Sequence, residues 1–236
     1  MGLFDGLYSY EVILLVLGAF FFVVLVVLLA VLVAKGRPYG KMAGFFVFPL
    51  IMMGFPGLKS VEFKDGVVSI ERLTRDLQQN PTDGAKRAEL KQKLNELKTR
   101  PATDPAAIAS IGSAQFALGE HKAAEETLQR VITKAPQLPQ VQELKKRIDI
   151  DNSLKNLTAK VEQNPADHAA KLQLEKTVDQ AAQIHTASPE LLANIARAHE
   201  AAGDHSAAAV TADKVLKIAP HSLPAERVRI LAVPHK

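Results

Sequence analysis

A long apolar stretch near the N-terminus constrains this chain more than any other feature. Residues 12–34 read VILLVLGAFFFVVLVVLLAVLVA and contain no charged or strongly polar side chain. As a helix this stretch would be about 34 Å long, enough to cross a hydrocarbon core of about 30 Å with some tilt. A helix of this length that was buried in a water-soluble domain would show a polar stripe. The stretch therefore predicts a transmembrane helix.

The charges on either side of this helix predict its orientation. The segment before it carries Asp5 and Glu11 but no lysine or arginine. It therefore lacks the basic start of a cleavable signal peptide, and we expect it to remain as an anchor. Lys35, Arg37 and Lys41 follow the helix. Because basic loops stay on the cytoplasmic side, these residues predict a cytoplasmic loop and an N-terminus outside the cytoplasm.

A second apolar segment, residues 42–58, decides on which side the remainder of the chain lies. With 17 residues it is short for a crossing, and Pro49 is expected to break one backbone hydrogen bond of a helix there. Two interpretations stay open: a second crossing, or a re-entrant or interfacial piece. We favour a crossing, because irregular backbone exposed to lipid leaves polar groups unsatisfied. Residues 1–58 then form an inner-membrane anchor in contact with the lipid bilayer, and the rest of the chain lies on the periplasmic side.

Residues 59–70, KSVEFKDGVVSI, change the pattern. Val61 and Phe63 alternate with charged residues, and Asp65 followed by Gly66 is a common sequence for a tight β-turn. These features predict a short β-hairpin next to the membrane. From residue 71 the apolar residues recur with a helical period almost to the end. The predicted fold class is therefore mainly α, with one small hairpin.

Residues 71–236 contain an internal duplication. A shift of 84 residues, without a gap, aligns LTRDLQQNPTD at 73–83 with LTAKVEQNPAD at 157–167. The same shift aligns residues 104–124 with residues 188–208. Internal repeats of this size are typical of solenoids, in which each unit packs on its neighbours. The sequence thus predicts one helical repeat domain made of two related halves.

Part of each half resembles the tetratricopeptide repeat, a pair of antiparallel helices. Residues 105–136 and 189–220 each carry a glycine at the turn, an alanine at the close helix contact and a proline after the second helix. These residues are Gly119, Ala124 and Pro136 in the first copy, and Gly203, Ala208 and Pro220 in the second. Residues 134–165 resemble the repeat weakly. The resemblance implies a helical solenoid that binds other proteins.

The resemblance also implies where a partner binds. In tetratricopeptide repeats the first helix of each pair lines a concave groove that takes a peptide or a partner helix. The matching candidates here are Ser113 and Phe116 in the first copy, and Glu190, Arg197 and Glu200 in the second. Family members that hold a C-terminal carboxylate use lysine and asparagine at such positions. Only Arg197 suits that role here, which argues against this mode of binding.

Motifs for catalysis or cofactor binding are not recognisable in the sequence. There is no cysteine, no Gly-rich phosphate loop and no GxSxG elbow. His199 and Glu200 begin like a zinc-binding HExxH motif, but Gly203 stands where the second histidine is required. His121 and His205 recur where the family packs an aromatic ring, so we favour a structural role over metal binding or pH sensing. The sequence predicts neither an enzyme nor a cofactor.

The charge distribution argues against nucleic acid as a partner. Residues 59–236 carry 26 basic and 23 acidic side chains, which leaves no electrostatic footprint for a polyanion. We predict a membrane-anchored scaffold or assembly subunit of a bacterial inner-membrane complex, with other proteins as its partners. Two alternatives remain: an anchored chaperone for membrane or exported proteins, and an accessory enzyme subunit whose histidines bind a metal.

Overall fold

The computed structural model describes residues 6–35, 44–184 and 186–232, and these residues form ten α-helices and no β-strand. The prediction of a mainly helical protein is confirmed. The helices are α1 (Ser9–Ala34), α2 (Val47–Gln79), α3 (Gly84–Lys98), α4 (Pro105–Leu118), α5 (His121–Ile132), α6 (Pro139–Gln163), α7 (His168–Gln183), α8 (Pro189–Ala202), α9 (His205–Ile218) and α10 (Leu223–Ala232). They divide into two compact units, Met1–Val68 with Glu96–Asp104, and Ser69–Asn95 with Pro105–Lys236.

In the first unit, α1 packs against the beginning of α2. A Cβ at Gly18 would lie 2.9 Å from Cγ of Met53, so the missing side chain lets the two helices approach closely. Phe22 packs edge-on against Phe46, with 5.6 Å between ring centroids. Contacts move backward along α2 as they move forward along α1, so the helices are antiparallel. By length and composition, both are apolar enough to cross a membrane.

The predicted β-hairpin at residues 59–70 is wrong, because these residues lie inside α2. Phe63, Val67 and Ile70 are all buried, and their spacing of four and three residues places them on one helix face. Gly66 does not form a turn. It makes room for Leu97 of α3, whose Cδ2 would lie 2.8 Å from a Cβ at this position. Gly66 thus allows α2 and α3 to pack closely.

The second apolar segment is helical from residue 47 onward, and residues 42 and 43 lie outside the described part. Pro49 is the third residue of α2, where backbone N–H groups have no partner within the helix, so the predicted loss of a hydrogen bond does not apply. Pro56 lies in the helix interior. Lys35 is the exposed residue that follows α1, whereas Arg37 and Lys41 lie outside the described residues.

In the second unit, the helix boundaries repeat at a spacing of 84 residues. The corresponding first residues are Gly84 and His168 for α3 and α7, Pro105 and Pro189 for α4 and α8, His121 and His205 for α5 and α9, and Pro139 and Leu223 for α6 and α10. Gly119 and Gly203 end the first helix of each pair with φ of 87° and 94°, a conformation that only glycine adopts without strain. Ala124 and Ala208 are fully buried in the helix pairs.

Residues 134–165 do not form a third helix pair, contrary to the weak resemblance in the sequence. Most of them belong to α6, a single helix of 25 residues. No glycine or proline interrupts α6 after its first residue, so nothing forces a turn near Ser153. The next helix starts only at the cap formed by Asp167, whose side chain accepts a hydrogen bond from the backbone N–H of Ala170.

Candidate functional site

Two surface grooves of the second unit are related by the internal duplication. The first groove, of about 420 Å³, lies between the end of α2, α4 and the start of α6. The second groove, of about 600 Å³, lies between the end of α6, α8 and α10. Lining residues correspond at a spacing of 84 positions, namely Gln78 with Glu162, Ser113 with Arg197, Pro139 with Leu223, Glu143 with Arg227, and Arg147 with Leu231.

The first groove is lined mainly by polar side chains, and several of them are hydrogen-bonded to one another. Arg147 donates from Nε to Oε1 of Glu143 at 2.9 Å. With its amide oxygen turned toward the guanidinium, Gln78 accepts from Nη1 of the same arginine at 2.7 Å. Ser110 donates to Oε1 of Glu71 at 2.5 Å. Ser113, a candidate from the sequence, lines this groove among groups that are already paired.

The second groove contains two more of the candidates and has a more apolar wall. Arg197 donates from Nε to Oε1 of Glu162 at 2.7 Å and makes a second, parallel bond from Nη2 to the other carboxylate oxygen. Glu200 lies 3.0 Å from Nδ1 of His205. Leu223 contributes an exposed apolar side chain from α10. Arg197 is therefore held in an ion pair at the groove wall, and Glu200 lies within hydrogen-bond distance of a histidine.

Phe116 and Glu190, the remaining candidates, border a different cavity of about 620 Å³ beside α5. Phe116 is buried and stacks on His121, with 4.2 Å between the ring centroids and 9° between the planes. The Glu190 side chain is 41% exposed at the rim. The five candidates thus divide over three sites.

His121 is the centre of a buried polar network beside this cavity. Its Nδ1 lies 2.7 Å from Oδ2 of Asp151, and its Nε2 lies 2.6 Å from Oγ of Ser188. Ser188 caps α8, since its Oγ accepts from the backbone N–H of Leu191 at 3.2 Å. We assign the proton to Nδ1, because the Asp151 carboxylate is an acceptor and the Ser188 hydroxyl can donate to Nε2. The ring therefore joins α5, α6 and the start of α8.

Asp151 is 2% exposed and accepts hydrogen bonds from three side chains. Besides His121, these are Asn194 at 2.7 Å from Oδ1 and Lys155 at 2.8 Å from Oδ2. Burial by itself raises the pKa of Asp151, but the hydrogen bonds from His121, Lys155 and Asn194 outweigh it and lower the pKa below its ordinary value. The carboxylate is consequently ionised at neutral pH.

The network resembles two kinds of functional site, but it lacks a feature that each of them requires. His121, Asp151 and Glu190 offer three ligand atoms within 4.8 Å of one another, a set suited to a transition metal. The ammonium group of Lys155, however, already lies 2.8 Å from Asp151 and 2.9 Å from Glu190, where a metal would bind. Ser188, His121 and Asp151 stand in the order of a hydrolytic triad, but Ser188 is fully buried and occupied as a cap. Geometry favours a structural link.

The sequence offered little to identify this network. Asp151 and Ser188 lie 30 and 67 residues from His121, and neither belongs to a recognisable motif. The serine before Pro189 is a helix-start signal, which indicates its capping role but not its contact with the histidine. His199, which begins the incomplete HExxH motif, lies near the end of α8, with its Nδ1 3.9 Å from Oδ2 of Asp204.

A family model described as tetratricopeptide repeat matches residues 110–137. The match covers most of α4, all of α5 and the turn between them, including Gly119 and Ala124. The predicted resemblance is confirmed for this segment, and such a repeat suggests a role in binding other proteins. No curated protein and no solved structure matches the chain. The similarity of α8 and α9 to the repeat rests on the internal duplication.

Proposed function

We propose that this protein is a membrane-anchored adaptor that holds segments of other proteins in its two grooves. The observation that carries the proposal is the pair of grooves itself, which are built from corresponding helices at a spacing of 84 residues. The match of residues 110–137 to the tetratricopeptide repeat supports protein binding as the use of such a surface. The lipid bilayer holds the anchor, and the partners are proteins.

A scaffold role in a membrane complex is favoured over that of a chaperone with many clients. Arg147 and Arg197 are fixed by hydrogen bonds to Glu143 and Glu162, so the polar walls of the grooves are ordered before a partner arrives. Preorganised surfaces favour a defined partner, whereas promiscuous binders rely on flexible, methionine-rich or loop-rich surfaces. We expect no catalytic activity, since the buried Ser188 does not reach a substrate.

The proposed anchor consists of two membrane crossings, α1 and the apolar part of α2. Contacts at the N-terminus support this topology. The backbone N–H of Gly6 donates to the carbonyl of Pro101 at 3.0 Å, and the Tyr8 hydroxyl donates to the carbonyl of Thr99. Residues 99–101 connect α3 to α4, so the N-terminus and the repeats belong on the same side of the membrane. If α1 crosses, α2 must therefore return the chain.

The same contacts bear on the compartment. By the positive-inside rule, Lys35 and the two basic residues after it belong to the cytoplasmic side. We therefore propose that the protein is integral to a bacterial inner membrane, with its repeats in the periplasm. A cysteine labelling experiment tests this, because the natural chain has no cysteine. Gln129→Cys in α5 should react with a membrane-impermeant reagent in spheroplasts, and Gly36→Cys only after lysis. The reverse pattern would contradict the topology.

Site-specific crosslinking tests the adaptor function. A photoreactive amino acid replaces Ser113 in the first groove or Arg197 in the second, and the control replaces Val210, a residue of α9 that lines neither groove and is 58% exposed. In intact cells the groove positions should yield a few discrete crosslinked bands, and Val210 should yield none of them. A broad smear from the groove positions would indicate chaperone clients. Identical bands from all three positions would refute groove binding.

A further inference from the structure

The two grooves differ most where α10 takes the place of the start of α6. In the first groove, Glu143 and Arg147 bind each other one helical turn apart. The corresponding residues of the second groove are Arg227 and Leu231. The acidic member of the pair has become basic, and the basic member has become apolar. The internal ion pair of the first groove is thus absent from the second.

Arg227 is an exposed cation that has no carboxylate partner among the described residues. Of the two acidic side chains that line the same groove, Glu162 binds Arg197, and Oε2 of Glu200 lies 3.0 Å from Nδ1 of His205. The Arg227 guanidinium therefore offers donors that no carboxylate of the described residues accepts from.

Apolar side chains flank this charge on the same helix face. Leu223, Arg227 and Leu231 are spaced four residues apart along α10, so they form one stripe. Leu223 is 75% exposed and Leu231 is 61% exposed, and both line the groove. A segment lying along α10 would cover both leucines and place one of its side chains opposite the guanidinium.

We propose that the second groove binds a segment of another protein in which apolar side chains flank an acidic residue. This inference rests on the adaptor function proposed above and names the chemistry of the partner. The carboxylate pairs with Arg227 in the fork geometry that favours arginine, while the apolar side chains cover Leu223 and Leu231. A basic side chain at the same place would face the like charge of Arg227.

Selection of short random peptides displayed on phage tests this chemistry. The full-length protein in mild detergent serves as bait, and bound peptides are sequenced. Enriched peptides should carry Asp or Glu between apolar residues, and Arg227→Gln should lower their affinity about tenfold. With Arg227→Glu the selection should turn to peptides with Lys or Arg. Arg229→Gln, which changes an exposed arginine of α10 that does not line the groove, is the matched control and should leave the acidic preference unchanged.

Each other outcome contradicts a specific statement. Absence of any enrichment would overturn the adaptor function together with this inference. Enriched peptides without an acidic residue, or an acidic preference that survives Arg227→Glu, would overturn the inference alone. Light scattering tests whether a second copy of this chain fills the groove. A dimer that dissociates with Arg227→Glu would show this and would overturn the inference. Far-UV circular dichroism of each variant establishes that the exposed substitution leaves the fold intact.

Discussion

His121 and His205 occupy corresponding positions in the two copies of the duplication, yet their surroundings differ. Each is the first residue of the second helix in its pair and follows a glycine by two positions. His121 is 8% exposed and bonded to Asp151 of α6 and to Ser188, the cap of α8, whereas His205 is 60% exposed and lies 3.0 Å from Glu200 of the preceding helix. The same position of the repeat is thus buried in the copy in which further helices cover it, and exposed in the other copy. Neighbouring repeats decide the role of such a residue.

Removing each imidazole in turn tests this comparison, and the loss of the His121 ring should have the largest effect on stability. His121→Ala should destabilise the protein by about 3 kcal/mol, because it removes one hydrogen bond from buried Asp151, one from buried Ser188 and the ring stacked on Phe116. His205→Ala should cost less than about 0.5 kcal/mol, as is usual for exposed residues. Urea unfolding of the full-length protein in detergent measures both. Equal losses would break the comparison.

Acid should remove part of the stability that the His121 network supplies. Hydrogen bonds from His121, Lys155 and Asn194 hold the pKa of buried Asp151 below its ordinary value, so its stabilising contribution is present above a pH of about 4 and is lost as pH falls through the folded-state pKa. The stability difference between the wild type and Asp151→Asn should therefore shrink as pH falls below about 4. A difference that grows below this pH would contradict the prediction.

A smaller effect is expected where the copies differ by one methyl group. Gly112 of α4 corresponds to Ala196 of α8, which is fully buried. A Cβ at Gly112 would lie 2.5 Å from Cδ2 of Leu144, a buried side chain with little room to move. Gly112→Ala should therefore destabilise by about 1 kcal/mol, with overpacking exceeding the gain in helix propensity. Stabilisation, measured by the same unfolding assay, would show that Leu144 yields without cost.

A further difference between the copies concerns the groove walls. The Arg197 side chain is 55% exposed, so its bond to Glu162 is screened by water, and Arg197→Ala should cost about 0.5 kcal/mol of stability. Arg147, at the buried wall of the first groove, is 9% exposed, and Arg147→Ala should cost about 1 kcal/mol more than that. Thermal unfolding of the two variants, compared with the wild type, ranks them. The opposite order would mean that the second groove is the more rigid one.

Helix positions were predictable to a large extent, and the errors have identifiable causes. The apolar stretch at 12–34 lies inside α1, and the helix-ending prolines and turn glycines mark α4, α5, α8 and α9. The β-hairpin prediction was wrong because the helical spacing of Phe63, Val67 and Ile70, all of them buried, outweighs the turn preference of an Asp-Gly pair. The weak third repeat failed because similar apolar spacing occurs in a single long helix and in a helix pair.

Sequence alone determined the elements whose causes are local or periodic. A long uncharged apolar run, a duplication at 84 residues and glycines with positive φ at both turns are all legible without a structure. Only the tertiary structure decided that His121 joins Asp151 to Ser188, and that Arg227 has no carboxylate partner among the residues that the structure describes. These properties depend on side chains that are distant along the chain and on which neighbours exclude water. Burial and pairing are set by the packing of all the helices, so no local pattern carries them.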